Sequence, residues 1–466
     1  MHLPGSARFA IGRFILLPGL LLAPLPGWAA NPAFARAAGG IDPAAASQAQ
    51  DVILYGMRKG ENLFSLSRQA LVRPDSYREV QRINRIADPH RIAIGTVLRI
   101  PVNLLRAEPL SARVVALRGA VAVRQDGAQI TPRVGSQLAP GAALETGPDG
   151  FVTIELPNGS RTSMPTRTRM RIARLHRITL TGSVDYDLTV ESGKVETSAS
   201  PLGADRNNRF RIRTPRALAA VRGTRFRVGY GEGEGTSLAE VLEGTVAASS
   251  RTAQAETSLT QGLGAVVSAS GKLGTERLLD APELDQPGRV QTDPVVQLAV
   301  LPLSAARSYR VQIAEDAGFT RVLAEQQAER RDFAFAGIPD GNLFVRVSAL
   351  AQSGLEGMPQ TFAMRRVLAG ITASAQGDAD TMRFSWGGEG EGRRTYSFQL
   401  GAVPAPSGGA EPPLLVNEAG LQTSGIRLGA LPPGIYRWRV GLRQESGGEV
   451  VENWLPFEKL TVAAPE

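Results

Sequence analysis

The stretch RFRIRTPRALAAVRGTRFRV, residues 209–228, decides the fold of the central part of the chain. Arginine alternates with Phe210 and Ile212 at its start, and with Phe226 and Val228 at its end. A period of two places apolar side chains on one face of a strand and charged side chains on the other. The stretch therefore predicts two short β-strands, each with one buried face.

The same pattern continues on both sides of this stretch. Residues 151–156 and 184–190 also alternate, and the hairpin dipeptides Asp-Gly, Asp-Gly and Asn-Gly stand at 126–127, 149–150 and 158–159. Short strands at this spacing are typical of an all-β roll or sandwich. We expect such a domain over residues 110–275.

Length and composition limit the classes of protein. A chain of 466 residues exceeds one ordinary core, and 42% hydrophobic residues with 51 glycines and 31 prolines indicate a folded, mainly β, multidomain protein. The net charge of +8 is consistent with a polyanionic neighbourhood, but the arginine-rich composition alone does not indicate nucleic-acid binding.

The same composition bears on chemistry. Cysteine is absent, which excludes thiol nucleophiles and Cys-ligated zinc, and only three histidines occur. We therefore predict no catalytic residues, no metal site and no cofactor. An enzyme that uses two carboxylates brought together in space remains an alternative.

The N-terminus predicts export. Arg8 and Arg13 precede an apolar run at 14–25, and small residues follow, a pattern typical of a secretory signal peptide cleaved after Ala29, Ala30 or Ala35. The alternative is a membrane anchor, but a span needs roughly 20 apolar residues and this run is shorter and contains prolines. We expect a signal peptide over 1–35, a flexible leader over 36–50, a periplasmic location and no transmembrane segment after cleavage.

Residues 51–106 predict a compact unit with the order strand, helix, helix, strand. The strands are expected at 52–55 and 96–100. Asn62 can cap a first helix that runs to Ala70, and a second helix is expected from Tyr77 to Ile86, where Asp88-Pro89 breaks it.

This unit resembles a LysM module through KGENLFSL at 59–66, IN at 83–84, DP at 88–89 and IGTVLRIP at 94–101. The resemblance implies binding of N-acetylglucosamine-containing glycans, peptidoglycan or chitin, in a groove between two loops. Asn62 replaces the commoner Thr or Ser, and the connection at 71–76 is longer than usual. The alternative is a spacer that kept the fold and lost the groove. By position, the implied groove residues are Gly60, Glu61, Asn62, Leu63, Ala87, Asp88, Pro89, Arg91 and Ile92.

The central region resembles a FecR-type domain. The motifs are TGPDGF at 146–151, LPNGS at 156–160, ESGKV at 191–195, FRIRTP at 210–215, AVRGTRFRV at 220–228 and VLEGTV at 241–246. In that family the domain is periplasmic and relays the state of an outer-membrane transporter, through a membrane helix, to a cytoplasmic sigma-factor regulator. This sequence has no counterpart of that regulator or helix, so we do not expect direct sigma-factor signalling.

The C-terminal part predicts two β-sandwich repeats, over 282–367 and 368–466. YRVQI at 309–313 and YSFQL at 396–400 correspond, as do GNLFVRV at 341–347 and GIYRWRV at 434–440. These repeats are similar to fibronectin type III-like modules. Trp386, Trp438 and Trp454 are expected in their cores.

Three further groups of residues have two interpretations each. Arg209, Arg211, Arg213, Arg225 and Arg227 predict a basic stripe for an anionic partner, or edge-strand charge that blocks aggregation. Asp185, Asp187 and Glu191 are expected on a solvated face rather than in a calcium or catalytic site. The glycine-rich runs 229–235 and 387–392 are expected to be hairpin turns rather than phosphate loops.

These patterns together predict a non-catalytic periplasmic adaptor that binds peptidoglycan and presents its β-domains to a protein of the envelope. The alternative is an envelope-signalling component, a FecR-type sensor that acts through a separate membrane partner. A wall hydrolase is disfavoured, because no cluster of histidines and acids occurs in any of the β-domains.

Overall fold

A computed structural model describes residues 52–231, 233–253, 255–377, 381–403 and 412–463. The predicted signal peptide, the leader and Asp51 lie outside these residues. The described chain is mainly β and multidomain, as predicted. Neither of its two α-helices is long and apolar enough to cross a membrane.

The N-terminal module, residues 52–106, has the predicted order strand, helix, helix, strand. Its antiparallel strands are β1 (Val52–Gly56) and β2 (Val97–Pro101), and its helices are α1 (Leu63–Ala70) and α2 (Tyr77–Ile83). A 3₁₀ turn, Pro74–Ser76, precedes α2.

Local hydrogen bonds set the helix ends. The Asn62 side chain accepts from the Ser65 N–H at 2.8 Å, and Ser65 Oγ accepts from the Asn62 N–H at 2.9 Å, so α1 begins with a reciprocal cap. Helix α2 ends at Ile83, three residues before the predicted Ile86. The reason is that Arg85 is left-handed (φ 52°) and the Asn84 amide binds both the Val80 carbonyl and β2.

The central domain, residues 107–277, is an all-β roll, as predicted, and its strands join in a closed path. Strand β12 pairs with β11 and β13 along its first half, and with β10 and β15 along its second half. The strands are β3 (Ala107–Pro109), β4 (Ala112–Arg118), β5 (Val121–Gln125), β6 (Ala128–Ile130), β7 (Gln137–Leu138), β8 (Ala143–Thr146), β9 (Phe151–Glu155), β10 (Arg161–Met164), β11 (Arg169–Ile178), β12 (Val184–Ser198), β13 (Arg209–Arg213), β14 (Ala217–Val221), β15 (Arg225–Gly231), β16 (Thr236–Glu243), β17 (Thr245–Ser250), β18 (Glu256–Thr260), β19 (Leu263–Val267) and β20 (Leu273–Arg277).

The N-terminal module is packed directly on the central domain. Ile178, at the end of β11, is fully buried in the core of the module. The Asn207 side chain accepts from the Leu54 N–H at 2.8 Å and donates to its carbonyl at 3.0 Å, so it covers the free edge of β1. The module and the roll therefore share a core and a hydrogen-bonded edge.

The first repeat is a β-sandwich of a two-stranded sheet, β21–β24, and a four-stranded sheet in the order β23-β22-β25-β26. Its strands are β21 (Val295–Ala299), β22 (Ser308–Ala314), β23 (Val322–Ala328), β24 (Asp332–Ala336), β25 (Gly341–Leu350) and β26 (Gln360–Arg366).

The second repeat is also a sandwich, with a small sheet β27-β28-β31 and a larger sheet β30-β29-β32 in which β33 and β34 both pair with β32. Its strands are β27 (Thr372–Gly377), β28 (Thr381–Gly387), β29 (Arg393–Ala402), β30 (Leu414–Leu421), β31 (Gly425–Gly429), β32 (Gly434–Ser446), β33 (Glu449–Trp454) and β34 (Glu458–Val462).

The two repeats use their matching motifs in the same way. The YRVQI strand, β22, pairs antiparallel with β25, and the YSFQL strand, β29, pairs antiparallel with β32. In both cases a glutamine lies directly across from an arginine: Gln312 faces Arg346, and Gln399 faces Arg439.

Two expectations for the second repeat are wrong. Trp386 and Trp438 are buried, but Trp454 is 38% exposed on the outer face of the larger sheet, where its ring covers Gly441. The run 387–392 is not a hairpin, because it carries the chain from β28 in one sheet to β29 in the other. The run 229–235 does join an antiparallel pair, β15 and β16.

We predict that Ile178→Ala lowers the free energy of unfolding by about 2–4 kcal/mol, because it leaves a cavity between the module and the roll. Urea unfolding followed by circular dichroism measures the change. Ile94→Ala is the matched control, since that side chain is 68% exposed. Equal effects of the two substitutions would show that the shared core contributes little.

Candidate functional site

The two loops of the predicted groove lie side by side. The Leu63 N–H donates to the Pro89 carbonyl at 3.0 Å, and the Met57 N–H donates to the Thr96 carbonyl at 2.9 Å. These bonds connect the start of α1 with the chain between α2 and β2. The arrangement leaves Gly60, with its left-handed φ of 83°, at the exposed tip of the first loop.

Three of the predicted groove residues support the loops instead of offering free side chains. Leu63 is fully buried in the module core, because it lies on the inner face of α1, and this corrects its place in the groove. The Asn62 amide caps α1. The Glu61 carboxylate accepts from the Tyr55 hydroxyl at 2.7 Å and from the Arg58 N–H at 2.8 Å. Burial and this bond to Glu61 raise the pKa of Tyr55 to about 12.

The second loop is a tight turn with an exposed surface. The Asp88 carboxylate accepts from the His90 N–H at 2.8 Å, and its carbonyl accepts from the Arg91 N–H at 3.2 Å. Ala87, Asp88 and Arg91 are exposed, while Pro89 and Ile92 are half-buried. The groove surface thus consists of backbone, small side chains and the Arg91 guanidinium.

An aromatic row beside these loops was not predicted. The Phe64 ring lies between the rings of Tyr77 and His90, with both centroid distances 4.4 Å. The rings are tilted by 47° and 32° to each other, and they offer an apolar surface against which a sugar ring can pack. No local sequence pattern indicates this row, because the three residues come from α1, α2 and the loop after α2.

The predicted basic stripe is two separate groups, because β13 and β15 pair with different halves of β12. In the first group, Arg211 Nη2 lies 2.8 Å from Asp185, and Arg213 Nε lies 2.8 Å from Asp187. Arg174, on β11, reaches Asp187 at 2.9 Å. The five arginines therefore do not form one continuous surface.

This group also corrects the expected solvated acidic face. Asp185 and Asp187 are 0% and 2% exposed. Alternation placed them correctly on the face opposite Tyr186 and Leu188, but arginines from β11 and β13 cover that face. Only Glu191 is partly exposed, in a 3.5 Å pair with Arg171.

The second group lies on β15 and faces the first repeat. Glu196, on β12, accepts from Arg225 Nη2 at 2.7 Å and from Arg227 Nε at 3.1 Å. Arg346, on β25 of the first repeat, reaches the same carboxylate at 2.9 Å. One carboxylate of the central domain thus joins the two domains.

More charged residues extend this contact into an interdomain charge cluster with five basic and four acidic members. They are Lys194, Glu196, Arg225, Arg227, Glu240, Arg310, Glu325, Arg346 and Glu356.

The cluster contains contacts within each domain and contacts across the interface. Glu240 of the central domain accepts from Lys194 Nζ at 2.6 Å and from the Glu356 N–H of the first repeat at 2.8 Å. Arg310 Nη1 lies 3.0 Å from the Glu356 carboxylate. Arg227, 1% exposed, donates to the Gly357 carbonyl at 3.0 Å. Lys194 and Arg227 of the central domain also lie 3.4 and 3.5 Å from the Glu356 carboxylate. Together with the pair of Arg346 and Glu196, these contacts mean that each domain neutralises buried charge of the other.

Apolar contacts border the cluster on two sides. Phe151 of the central domain packs with Phe319 and Val322 of the first repeat. On another side Leu242 packs with Leu355. A cavity of about 20 Å³ among the charges has room for one water molecule.

The cluster determines the ionisation of its members. Burial alone would raise the pKa of Glu196, but the charges of Arg346, Arg225 and Arg227 outweigh it and hold that pKa well below its ordinary value. Burial likewise opposes ionisation of Glu356, and Arg227 and Arg310 hold its pKa well below the ordinary value. Burial lowers the pKa of Arg346 to about 10 although Glu196 opposes this shift.

Across residues 52–231, 233–253, 255–377, 381–403 and 412–463, no group of three or more His, Cys, Asp or Glu side chains is placed to hold a metal ion.

We predict that Glu196→Gln lowers the free energy of unfolding by about 3 kcal/mol, because it removes the carboxylate that pairs with Arg225 and Arg346 and one of the three carboxylates within 4.0 Å of Arg227. Chemical denaturation measures the loss. Glu191→Gln, which removes a partly exposed carboxylate of the same strand, should change stability by less than about 0.5 kcal/mol. A loss no larger than that of the control would contradict the prediction.

We further predict a pH dependence. Carboxyl groups whose pKa is lowered by folding stabilise the folded protein at pH values above 4.5, the ordinary pKa of glutamate. This stabilisation is lost as the pH falls below 4.5. The midpoint of thermal unfolding should therefore fall as the pH is lowered from 5, and fall less steeply in Glu196→Gln. Parallel pH profiles of the two proteins would contradict this assignment.

One family of known proteins matches part of this chain. Residues 142–247 match the family described as FecR protein. No curated protein matches the chain. A solved structure titled as a putative anti-sigma factor from Parabacteroides distasonis is 18% identical, with a TM-score of 0.24, over 29% of this chain and 59% of that one. This chain therefore spans about three fifths of that protein's length.

Solved structures of fibronectin type III domains are also similar to parts of this chain. A two-domain fibronectin type III segment from chicken tenascin is 16% identical, with a TM-score of 0.17, over 38% of this chain and 98% of that one. Fibronectin(III)-like modules of Clostridium thermocellum CbhA are 9% identical, with a TM-score of 0.18, over 39% of this chain and 94% of theirs. The family match identifies residues 142–247, which contain the charged residues of β12, β15 and β16, as a FecR domain.

Proposed function

We propose that this chain is a non-catalytic periplasmic adaptor that binds peptidoglycan through its N-terminal module and so holds its FecR domain and sandwich repeats at the cell wall. The observation that carries the proposal is the pairing of the two groove loops. The bond from the Leu63 N–H to the Pro89 carbonyl brings exposed residues of both loops to one side of the module.

The chemistry of this surface suits an N-acetylglucosamine-containing glycan. An acetamido group needs backbone donors and acceptors, and its methyl and the sugar ring need an apolar surface. The loops at Gly60 and Ala87 provide exposed backbone, and Arg91 provides a donor for hydroxyl or carboxylate oxygens. The aromatic row of Phe64, Tyr77 and His90 provides the apolar surface.

Because the N-terminal module packs on the central domain, glycan binding by the module would also affect the orientation of that domain. Because Ile178 and Asn207 of the central domain fix the module, a glycan in the groove would orient the FecR domain as well as retain it. A wall-bound chain would also raise the local concentration of its other domains around any envelope partner.

The test is sedimentation of the purified protein with insoluble peptidoglycan. Deletion of the whole module would expose Ile178, so point variants are the better choice. We predict that Arg91→Glu weakens binding at least tenfold, about 1.4 kcal/mol, because it places a carboxylate beside the groove.

Arg68→Glu is the matched control, since it makes the same charge change on the exposed side of α1 and should bind like the parent. Equal binding of both variants, or no sedimentation of the parent, would contradict the adaptor proposal.

The FecR match favours a second candidate, an envelope-signalling component that acts through a separate membrane protein. The matched residues include the central-domain half of the charge cluster, which the first repeat covers. A partner that competed for this face would displace the repeat. Transcript levels with and without the protein distinguish the candidates: a signalling component changes a defined set of transcripts, and an adaptor that only retains its domains does not.

A further inference from the structure

The first repeat contains a carboxylate receptor built around Arg346. The Gln312 side-chain oxygen accepts from Arg346 Nε at 3.0 Å and from Nη2 at 2.7 Å. The guanidinium lies over the Phe319 ring, 4.3 Å from its centroid. Its remaining nitrogen, Nη1, binds the Glu196 carboxylate of the FecR domain at 2.9 Å. Glutamine and phenylalanine orient the arginine, and a carboxylate from another domain completes the site.

The second repeat builds the same receptor around Arg439. Strand register places Arg439 across from Gln399 as Arg346 lies across from Gln312, and Arg439 Nε donates to Gln399 Oε1 at 2.7 Å. The guanidinium lies 4.3 Å from the Phe457 ring and 4.6 Å from the Trp454 ring. Within the described residues, no carboxylate lies within 4.0 Å of Arg439.

The surroundings of the two receptors differ in exposure. Arg346 is 6% exposed because the FecR domain covers it. Large apolar side chains near Arg439 contact solvent: Ile435 is 49% exposed and Trp454 38% on the outer sheet face, and Leu415, at a bulge of the adjacent edge strand β30, is 60% exposed. Exposed apolar residues next to an oriented arginine are typical of a protein-binding surface.

The charge of this face limits what it can bind. Lys459 lies on β34, directly across from Arg437, and adds positive charge near Arg439. Glu196 of a second copy cannot serve as the occupant, because its own Arg346 already engages it. The positive charge of the face favours a different protein that presents an acidic residue.

We propose that the outer face of the larger sheet of the second repeat, centred on Arg439, Gln399 and Trp454, docks an acidic partner protein. A partner carboxylate binds Arg439 as Glu196 binds Arg346, and the exposed apolar residues surround this contact. This surface is independent of the glycan groove, and the proposal does not rest on the proposed function.

The experiment uses the full-length protein in the cells that produce it, with a photo-cross-linking amino acid in place of Leu415. Position 427, exposed on the opposite sheet, is the control site. We expect one protein to cross-link from position 415 and not from 427. That protein, identified by mass spectrometry and purified, should bind the chain at least tenfold more weakly when Arg439→Gln is introduced.

Two variants make the result specific. Arg443→Gln, which removes an exposed arginine of the same strand paired with Glu452, should bind like the parent. Arg439→Glu should regain binding when the contacting carboxylate of the partner is changed to arginine.

The proposal is overturned if position 415 gives no product, if it gives the same product as position 427, or if it gives only a second copy of this chain. It is also overturned if Arg439→Gln binds within twofold of the parent while melting at the same temperature.

Discussion

The carboxylate of Glu196 lies among three guanidinium groups, those of Arg225, Arg227 and Arg346. Removing such charges from water costs several kcal/mol per ion, and the cost is recovered only when every group finds its partner. The apolar contacts of Phe151 and Leu242 stabilise the interface at any nearby orientation, since burial has no direction. The charge cluster therefore contributes mainly to specificity: it permits one arrangement of the FecR domain and the first repeat and penalises the others.

The path of β12 places Glu196 at that interface. Its first half pairs with β13 and carries the buried Asp185 and Asp187, and its second half pairs with β15 and carries Glu196. Gly193 lies where the strand passes from one set of partners to the other, with a φ of 77°. A side chain at Gly193 would collide with the backbone at Arg167 and with Thr168. The glycine of the ESGKV motif is thus required at the point where β12 changes partners. This change places Asp185 and Asp187 beside β13 and Glu196 beside β15.

Local patterns predicted the strands and the first helix, because alternation and a capping asparagine act within a few residues. They predicted which side of a strand a residue faces, but not what covers that side. Asp185 and Trp454 are the two examples. The aspartate was expected to be exposed but is buried by arginines of other strands, and the tryptophan was expected to be buried but lies on an exposed face. The row of Phe64, Tyr77 and His90 was hidden for the same reason, since only the tertiary fold brings the rings together.

Neighbouring domains of the chain contact each other through different kinds of interaction, and these contacts determine which surfaces remain exposed to partner proteins. The N-terminal module and the roll share an apolar core at Ile178, and the roll and the first repeat share the charge cluster. The two repeats are connected by the ion pair of Arg365 and Glu449, and Gln444 and Asn453 of the second repeat donate to carbonyls of the linker. The first repeat thus uses the outer face of its larger sheet inside the molecule. In the second repeat the equivalent face carries a similarly oriented arginine.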